Sequence, residues 1–283
     1  GVFVRSRAGS ALVYDVRDLV LDSGAAVPEL FARLLGWLER LLILRADAIT
    51  TVSSQLGRVL AERYPRAVGA QTVYSGAFEA VPTAAPPHTP LRLFFQGRLV
   101  PNRRVDELIR VVANLDDMDV RLTIQGFGQE TAGLRELAAE LDHRGRIDFR
   151  PPCGPRDVVR CAAEYDVGVI PYHGDTLNLR VSVPIKLLDY IAAGLAVLAS
   201  DLPGLRALVE EEGCGYLFDP TDSDALANAI RYLAEHPDVV GTMKANATAA
   251  APKYLASVQG QRFVEVVESV LPVAARRRKG AGA

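Results

Sequence analysis

Four charged side chains, Arg98, Arg103, Lys186 and Asp189, occupy positions where a chain could grip a phosphorylated ligand. In Gly97-Arg98-Leu99-Val100-Pro101-Asn102-Arg103 a glycine lets a ligand approach the backbone, and two permanent cations stand beside the start of a helix. That combination can clamp a diphosphate, and a solvated basic loop is the plain alternative. Lys186 and Asp189 lie three apart in Ser182-Val183-Pro184-Ile185-Lys186-Leu187-Leu188-Asp189, so a helix puts them on one face. A lysine near a helix start, with an acid one turn later, could hold a phosphate and a sugar hydroxyl. The same spacing suits a surface ion pair.

Weaker signals surround these four. Gly126 and Gly128 form a second Gly-x-Gly turn, which tight strand-to-helix turns use in any case. Arg150-Pro151-Pro152-Cys153-Gly154-Pro155 is stiff and poor in amide donors; Pro152 could wall a flat base, or the loop could be only a rigid crossover. His173, close to Asp175, could orient a phosphate or sugar or simply be solvated. Asp15 and Asp18 follow a strand end, where they could meet an acceptor hydroxyl or form a turn. Asp117-Met118-Asp119 looks like a metal pair but precedes a strand, so it reads as a turn. No nucleophile elbow, Ser/His/Asp order, metal-ligand spacing or Gly-x4-Gly-Lys loop occurs. The expected site is a cleft rich in arginine and lysine with one useful carboxylate. It suits a nucleoside diphosphate whose departure is assisted by cations rather than by a metal.

The elements that must position these residues alternate. Strands read at Arg92 to Gln96, Arg121 to Gln125, Arg146 to Phe149, Val167 to Pro171, Leu195 to Ser200 and Gly215 to Phe218. Helices read near Val105 to Asn114, Glu130 to Leu141, Arg156 to Ala163, Pro184 to Ala193, Leu205 to Glu211 and Asp224 to Ala234. Six such units predict an α/β fold with a doubly wound parallel sheet and a crevice beyond the carboxyl strand ends. Pro184 and Gly194 bound the helix that carries Lys186 and Asp189. Residues 81–90 hold four prolines and read as a linker, so residues 1–80 form one domain and 91–283 another, with further helices at Val239 to Ala251 and Val258 to Val270, the last of which could pack back on the first domain. In the first domain Ala11 to Val20 reads as a strand followed by a polar turn at Asp15, Arg17 and Asp18, which leads to a helix from Pro28 through Leu44. That helix is apolar on most faces, which predicts burial with Trp37 as core filling. Ala48 to Val52 is a second strand, Ser53 or Ser54 caps the next helix, and Gln71 to Tyr74 is a third strand.

Composition sets the bounds. Thirty-two basic against 34 acidic residues give no global field for nucleic acid, and 49% apolar residues can fill a substantial core. Cys153, Cys161 and Cys214 show no close pair and fit buried thiols in a reducing compartment. No run of about 18 uncharged apolar residues predicts a membrane span. Arg276-Arg277-Arg278-Lys279 is either a solubilising end or a basic cluster for anionic lipid. The start at Gly1 suggests a processed form or a fragment.

Taken together these residues resemble the retaining glycosyltransferases of the GT-B fold, in the group 1, family 4-like branch. The Gly97 to Arg103 loop is similar to that family's Gly-Arg-x4-Lys donor-phosphate loop, with Arg103 where lysine is usual. Lys186 to Ser200 is similar to its Lys-x2-Glu-Tyr-x-Ala-x-Gly-x-Pro-Val-x-Ala-Ser run. The resemblance implies transfer of a sugar, with retention, from a nucleotide-sugar donor to a glycan, lipid-linked or small-molecule acceptor. It places Arg98, Arg103 and Lys186 on the departing diphosphate. Gly97, Gly126, Gly128, Pro152, His173 and Asp189 fall around the donor, with Asp189 on its ribose, and Asp15 and Asp18 on the acceptor side. It implies no metal and no other cofactor; the charge balance argues against a nucleic-acid partner, the cysteines fit a cytoplasmic location, and Arg276 to Lys279, read as the lipid-binding alternative, could make a peripheral contact at the inner membrane face. Two departures stand out. The first glutamate of the family's Glu-x7-Glu pair falls on Val181, and the first domain matches only in its later part, from Tyr14-Asp15 to Ser75-Gly76. A catalytically degenerate binding or partner subunit is therefore the second reading. A nucleotide-sugar 2-epimerase is a third, without that family's acid and histidine pattern.

Overall fold

The structure, a computed structural model, describes residues 11–22, 28–81 and 85–271. The chain divides into two compact units. One comprises Gly1–Ser75, Thr176–Val183 and Ser257–Ala283, and the other Gly76–Asp175 and Pro184–Ala256. Composition puts a boundary at residues 81–90 with the last helix returning to the first domain; the units divide at Ser75, and Thr176–Val183 and Ser257–Ala283 belong with the first.

The first unit is built on three parallel strands, β1 (Val13–Val16), β2 (Ala48–Thr51) and β3 (Gln71–Thr72), in that order. Between them run α1 (Glu29–Arg45) and α2 (Ser54–Arg63). Ser53 caps α2, its hydroxyl accepting the Leu56 N–H at 3.0 Å. Leu19, Ile43, Ile49, Leu56 and Leu60 fill the core. The short helix α6 (Leu177–Val181) has no counterpart in the sequence expectations and packs Val181 into this same core. The later helix α11 (Ala256–Val270) is tied to the strand end by Gln259, whose side-chain oxygen accepts the Tyr74 N–H at 2.9 Å.

The expected burial of α1 fails. Ile43 is its buried residue, whereas Trp37 is 59% exposed and Leu30, Phe31 and Leu34 are exposed as well. A helix laid on a narrow sheet hides one stripe, so an apolar composition all round does not by itself bury the opposite side.

The second unit is a six-stranded parallel sheet of β4 (Leu91–Arg98), β5 (Val120–Phe127), β6 (Ile147–Arg150), β7 (Val167–Ile170), β8 (Ala196–Ser200) and β9 (Gly215–Phe218). The order is β6-β5-β4-β7-β8-β9, so the direction of winding reverses between β4 and β7. In such sheets that reversal opens a crevice at the carboxyl ends. The helices are α3 (Val105–Ala113), α4 (Thr131–Leu141), α5 (Val158–Ala162), α7 (Ile185–Ala192), α8 (Pro203–Glu212), α9 (Ala225–Glu235) and α10 (Pro237–Ala250). Both β7 and β8 are buried at every position, as their unbroken apolar sequences require. Pro184 serves as the N-cap of α7, and Gly194 ends it with φ +66°. At the opposite end of the sheet, Asp166 is wholly buried and accepts from Lys244 Nζ at 2.9 Å and from the Arg92 N–H at 3.0 Å. His88 Nδ1 lies 2.9 Å from the same carboxylate, which fastens α10 and the segment before β4 to the start of β7.

Candidate functional site

β4 and β5 stay in register to their ends, pairing Gln96 with Gln125 and Gly97 with Gly126. Gly97 has φ +129°, a region open to glycine, and a Cβ on Gly126 would fall 1.9 Å from the Gly97 carbonyl oxygen. The strand ends therefore form a bare backbone shelf. A cavity of about 390 Å³ opens on it, lined by Gln96, Gly97, Arg98, Gly126, Pro152 and Asp189 together with the apolar Phe78, Phe127 and Ile185. Five residues singled out by sequence, Gly97, Arg98, Gly126, Pro152 and Asp189, thus meet at one place.

α7 brings its charges inward, not outward. Lys186 is 6% exposed and Asp189 8%, which overturns the surface ion pair. Asp189 accepts a hydrogen bond from Gln96 Nε2 at 2.9 Å. Burial pushes its carboxyl up to about 7, against the opposing effects of the Gln96 bond and the Lys186 charge. Lys186 Nζ is buried and has no hydrogen-bond partner among the described residues. It sits 3.9 Å from the centre of the Phe95 ring and 5.3 Å from that of Tyr172. Burial holds its pKa well below the ordinary lysine range; the nearby Arg103 charge acts in the same direction and Asp189 against it. The Arg103 guanidinium lies 4.5 Å from the Tyr172 ring centre, with Nη1 buried and unpartnered among the described residues, as is Asn102 Oδ1. Arg103 and Lys186 do not line the cavity wall itself. A Cβ at Gly97 would meet Lys186 Nζ at 3.1 Å, so the bare backbone of Gly97 is what separates the ammonium from the cavity.

The remaining expectations land elsewhere. Gly128 is needed for packing, since a Cβ there would stand 2.1 Å from the Leu99 carbonyl oxygen, and it does not line the cavity. His173 is not on the cavity wall either; its Nδ1 lies 3.0 Å from the Pro220 carbonyl, and its Nε2 is 4.0 Å from Asp175. Asp15 and Asp18 belong to the first unit and already have partners. Asp15 accepts from Thr50 Oγ1 and from Arg17 Nε, both at 2.6 Å, and Asp18 from Asn178 Nδ2 at 2.9 Å. Val181 is 5% exposed in the core of the first unit, and its carbonyl accepts from the Ser53 hydroxyl. Asp117 accepts from Arg231 Nε at 3.1 Å, in keeping with a structural turn. Arg276 to Lys279 lie outside the described residues. Three residues of the site escaped the sequence reading: Gln96, Phe95 and Tyr172. A polar glutamine ending the otherwise apolar run Leu93-Phe94-Phe95 was a usable signal for the first. Nothing in the spacing of Phe95 and Tyr172 announces that they share a cation.

A family model described as "Glycosyl transferases group 1" matches residues 90–236, just over half of the chain and the whole of the backbone shelf and α7. The chain belongs to the group 1 glycosyl transferases. It is 27% identical over 281 residues to the D-inositol 3-phosphate glycosyltransferase of Saccharomonospora viridis, covering 90% of this chain and 63% of that relative. It is also 27% identical to the enzyme of that name from Nocardia farcinica, over 100% of this chain and 66% of the relative. The chain thus spans less than two thirds of the length of the first of these relatives. Among solved structures, Anabaena HepE in complex with UDP superposes with a TM-score of 0.77 at 19% identity, covering 95% of this chain and 75% of that one. Sucrose-phosphate synthase from Thermosynechococcus elongatus does so with a TM-score of 0.73 at 19% identity, covering 95% and 70%. At that identity the likeness is one of fold, and it bears out the α/β, GT-B type expectation for this group 1 glycosyl transferase. No helix of the described residues is long and apolar enough to cross a membrane.

Proposed function

We propose that this chain binds a nucleotide-sugar donor and transfers its sugar, with retention at the anomeric carbon, to a glycan, lipid-linked or small-molecule acceptor. The observation that carries the reading is the meeting of a side-chain-free shelf, an arginine and a buried carboxylate around one cavity at the reversal of the sheet, with the buried Lys186 and the half-buried Arg103 immediately behind it, whose buried Nζ and Nη1 lack hydrogen-bond partners among the described residues. The shelf at Gly97 and Gly126 admits a diphosphate close to the backbone. Arg98 reaches it from the rim, while Arg103 and Lys186 supply charge that grows in value as the leaving diphosphate gains charge. In this reading those cations do what a metal ion does in other transferases. Asp189, held by Gln96, accepts from ribose hydroxyls, and the apolar wall of Phe78, Phe127, Pro152 and Ile185 packs the flat base. Family membership supports sugar transfer, and the relatives named for D-inositol 3-phosphate support a small polar acceptor among the three classes.

The test is a thermal-shift panel of nucleotide sugars, followed by product analysis of the one that stabilises the chain most, since a ligand of the folded state raises its stability by mass action. A stabilising donor that is turned over to a product of unchanged anomeric configuration supports the proposal. Stabilisation without turnover assigns the chain to a binding or partner role, and inversion of configuration refutes retention.

A further inference from the structure

Buried cations in this unit are handled in two ways. Lys244, 2% exposed, gives its ammonium to the Asp166 carboxylate at 2.9 Å and to the Tyr165 carbonyl at 3.1 Å. Arg146, 7% exposed, donates to the carbonyls of Leu115 and Ala113 at 2.6 and 3.0 Å. These are structural solutions, in which protein oxygens take up the charge. Lys186 and Arg103 are different. Lys186 Nζ and Arg103 Nη1 are buried without a hydrogen-bond partner among the described residues and face aromatic rings, whereas the one such atom of Arg146, its Nε, still lies 3.9 Å from the Asp142 carboxylate.

We propose that Tyr172 is a positioning residue for the donor diphosphate: its ring, shared by Arg103 and Lys186, with Phe95 as a second ring against Lys186, holds both cations in place while leaving their hydrogen-bonding capacity for the ligand. The proposal rests on the donor-binding reading above. Its physical basis is competition. A carboxylate partner would have to be displaced by an arriving diphosphate, whereas a ring attracts a cation through its quadrupole and takes up none of its N–H donors. Tyr172 is placed for this by the sheet: it follows β7 by two residues, and β7 is the strand that pairs with β4 where the winding reverses. Its side chain is buried, 3% exposed, and burial raises its hydroxyl to about 12, so the ring works as a neutral phenol. Other ionisable groups around Lys186 are accounted for. Asp189 is engaged by Gln96, Tyr190 accepts from the Gln96 backbone N–H at 3.0 Å, and Arg103 repels.

The experiment is calorimetric titration of the whole chain and its Tyr172→Phe and Tyr172→Leu variants with UDP, GDP, ADP and inorganic pyrophosphate. Tyr172→Phe keeps the ring and should bind within about twofold of wild type. Tyr172→Leu, with a melting transition still present, should bind the diphosphate about 10-fold more weakly, because neither cation is any longer held by a ring at this position. Affinity unchanged in Tyr172→Leu would overturn the positioning role. Should that variant fail to fold, phenylalanines with one, two and three ring fluorines at position 172 weaken the negative face at nearly constant shape. A stepwise fall in affinity supports the role, and a flat response overturns it. Failure of the wild-type chain to bind any of the four ligands refutes the donor-binding reading, and the proposal with it. Binding that is indifferent to the ring refutes the proposal alone.

Discussion

Replacing Asp189 by asparagine should flatten one part of the pH dependence of stability. The carboxyl has an ordinary pKa of 3.8 and is pushed to about 7 by its burial under the Gln96 amide. Between those values the folded chain holds a proton there that the unfolded chain has lost, so raising the pH favours unfolding. The contribution is absent below about pH 3.8, deepens by about 1.4 kcal/mol per pH unit, and levels off above pH 7 at about 4 kcal/mol of destabilisation. An asparagine in this place would accept the same Gln96 hydrogen bond without ionising. Urea unfolding of both proteins at half-unit intervals from pH 4.5 to 8 isolates the effect, because groups that do not interact with Asp189 cancel in the difference, and repeating the pair in a Lys186→Met background removes the one charge that does. The Asp189→Asn protein should gain on wild type by about 3 kcal/mol between pH 4.5 and 7, then hold that lead. A difference that stays constant over the range would refute the claim that this carboxyl is buried and raised. Lys186 has the opposite sign in a higher window. Its depressed pKa makes the unfolded chain the better proton binder up to about pH 10.5, so stability recovered at alkaline pH should vanish in Lys186→Met.

Other substitutions probe the shelf and its supports. Gly126→Ala would press a Cβ to within 1.9 Å of the Gly97 carbonyl, backbone against backbone, and should cost more than about 3 kcal/mol in chemical denaturation; a loss within 0.5 kcal/mol, roughly that of a neutral surface change, would contradict the shelf geometry. Arg98→Ala removes an exposed side chain and should leave the melting temperature alone while weakening diphosphate binding about 10-fold, as measured by calorimetry. Lys244→Met strands the buried Asp166 carboxylate and should cost about 3–5 kcal/mol, more at neutral pH than at pH 4, where protonating the carboxyl relieves the loss.

The linear chain carried its own punctuation. Gly97 and Gly194 mark turns that only a residue without a side chain enters cheaply, and the uncharged run through Ala196 to Ser200 reads as a buried parallel strand because no face of it tolerates water. Spacing alone put Lys186 and Asp189 on one side of a helix. Which side was left open, and the interior won because α7 lies with that face on the sheet, where Gln96 offers a donor and Phe95 and Tyr172 offer rings. Those partners come from β4 and from the loop after β7, 14 or more residues away in sequence, and no local periodicity encodes them. The same limit explains Trp37 and Val181. An apolar residue's burial depends on what is laid over it, so Trp37 in an apolar helix is exposed, while Val181 is buried in the core of the first unit, not that of the second. Residue types and their periods determined the elements and the chemistry available; packing determined which charges lost their water, and hence which can act on a ligand.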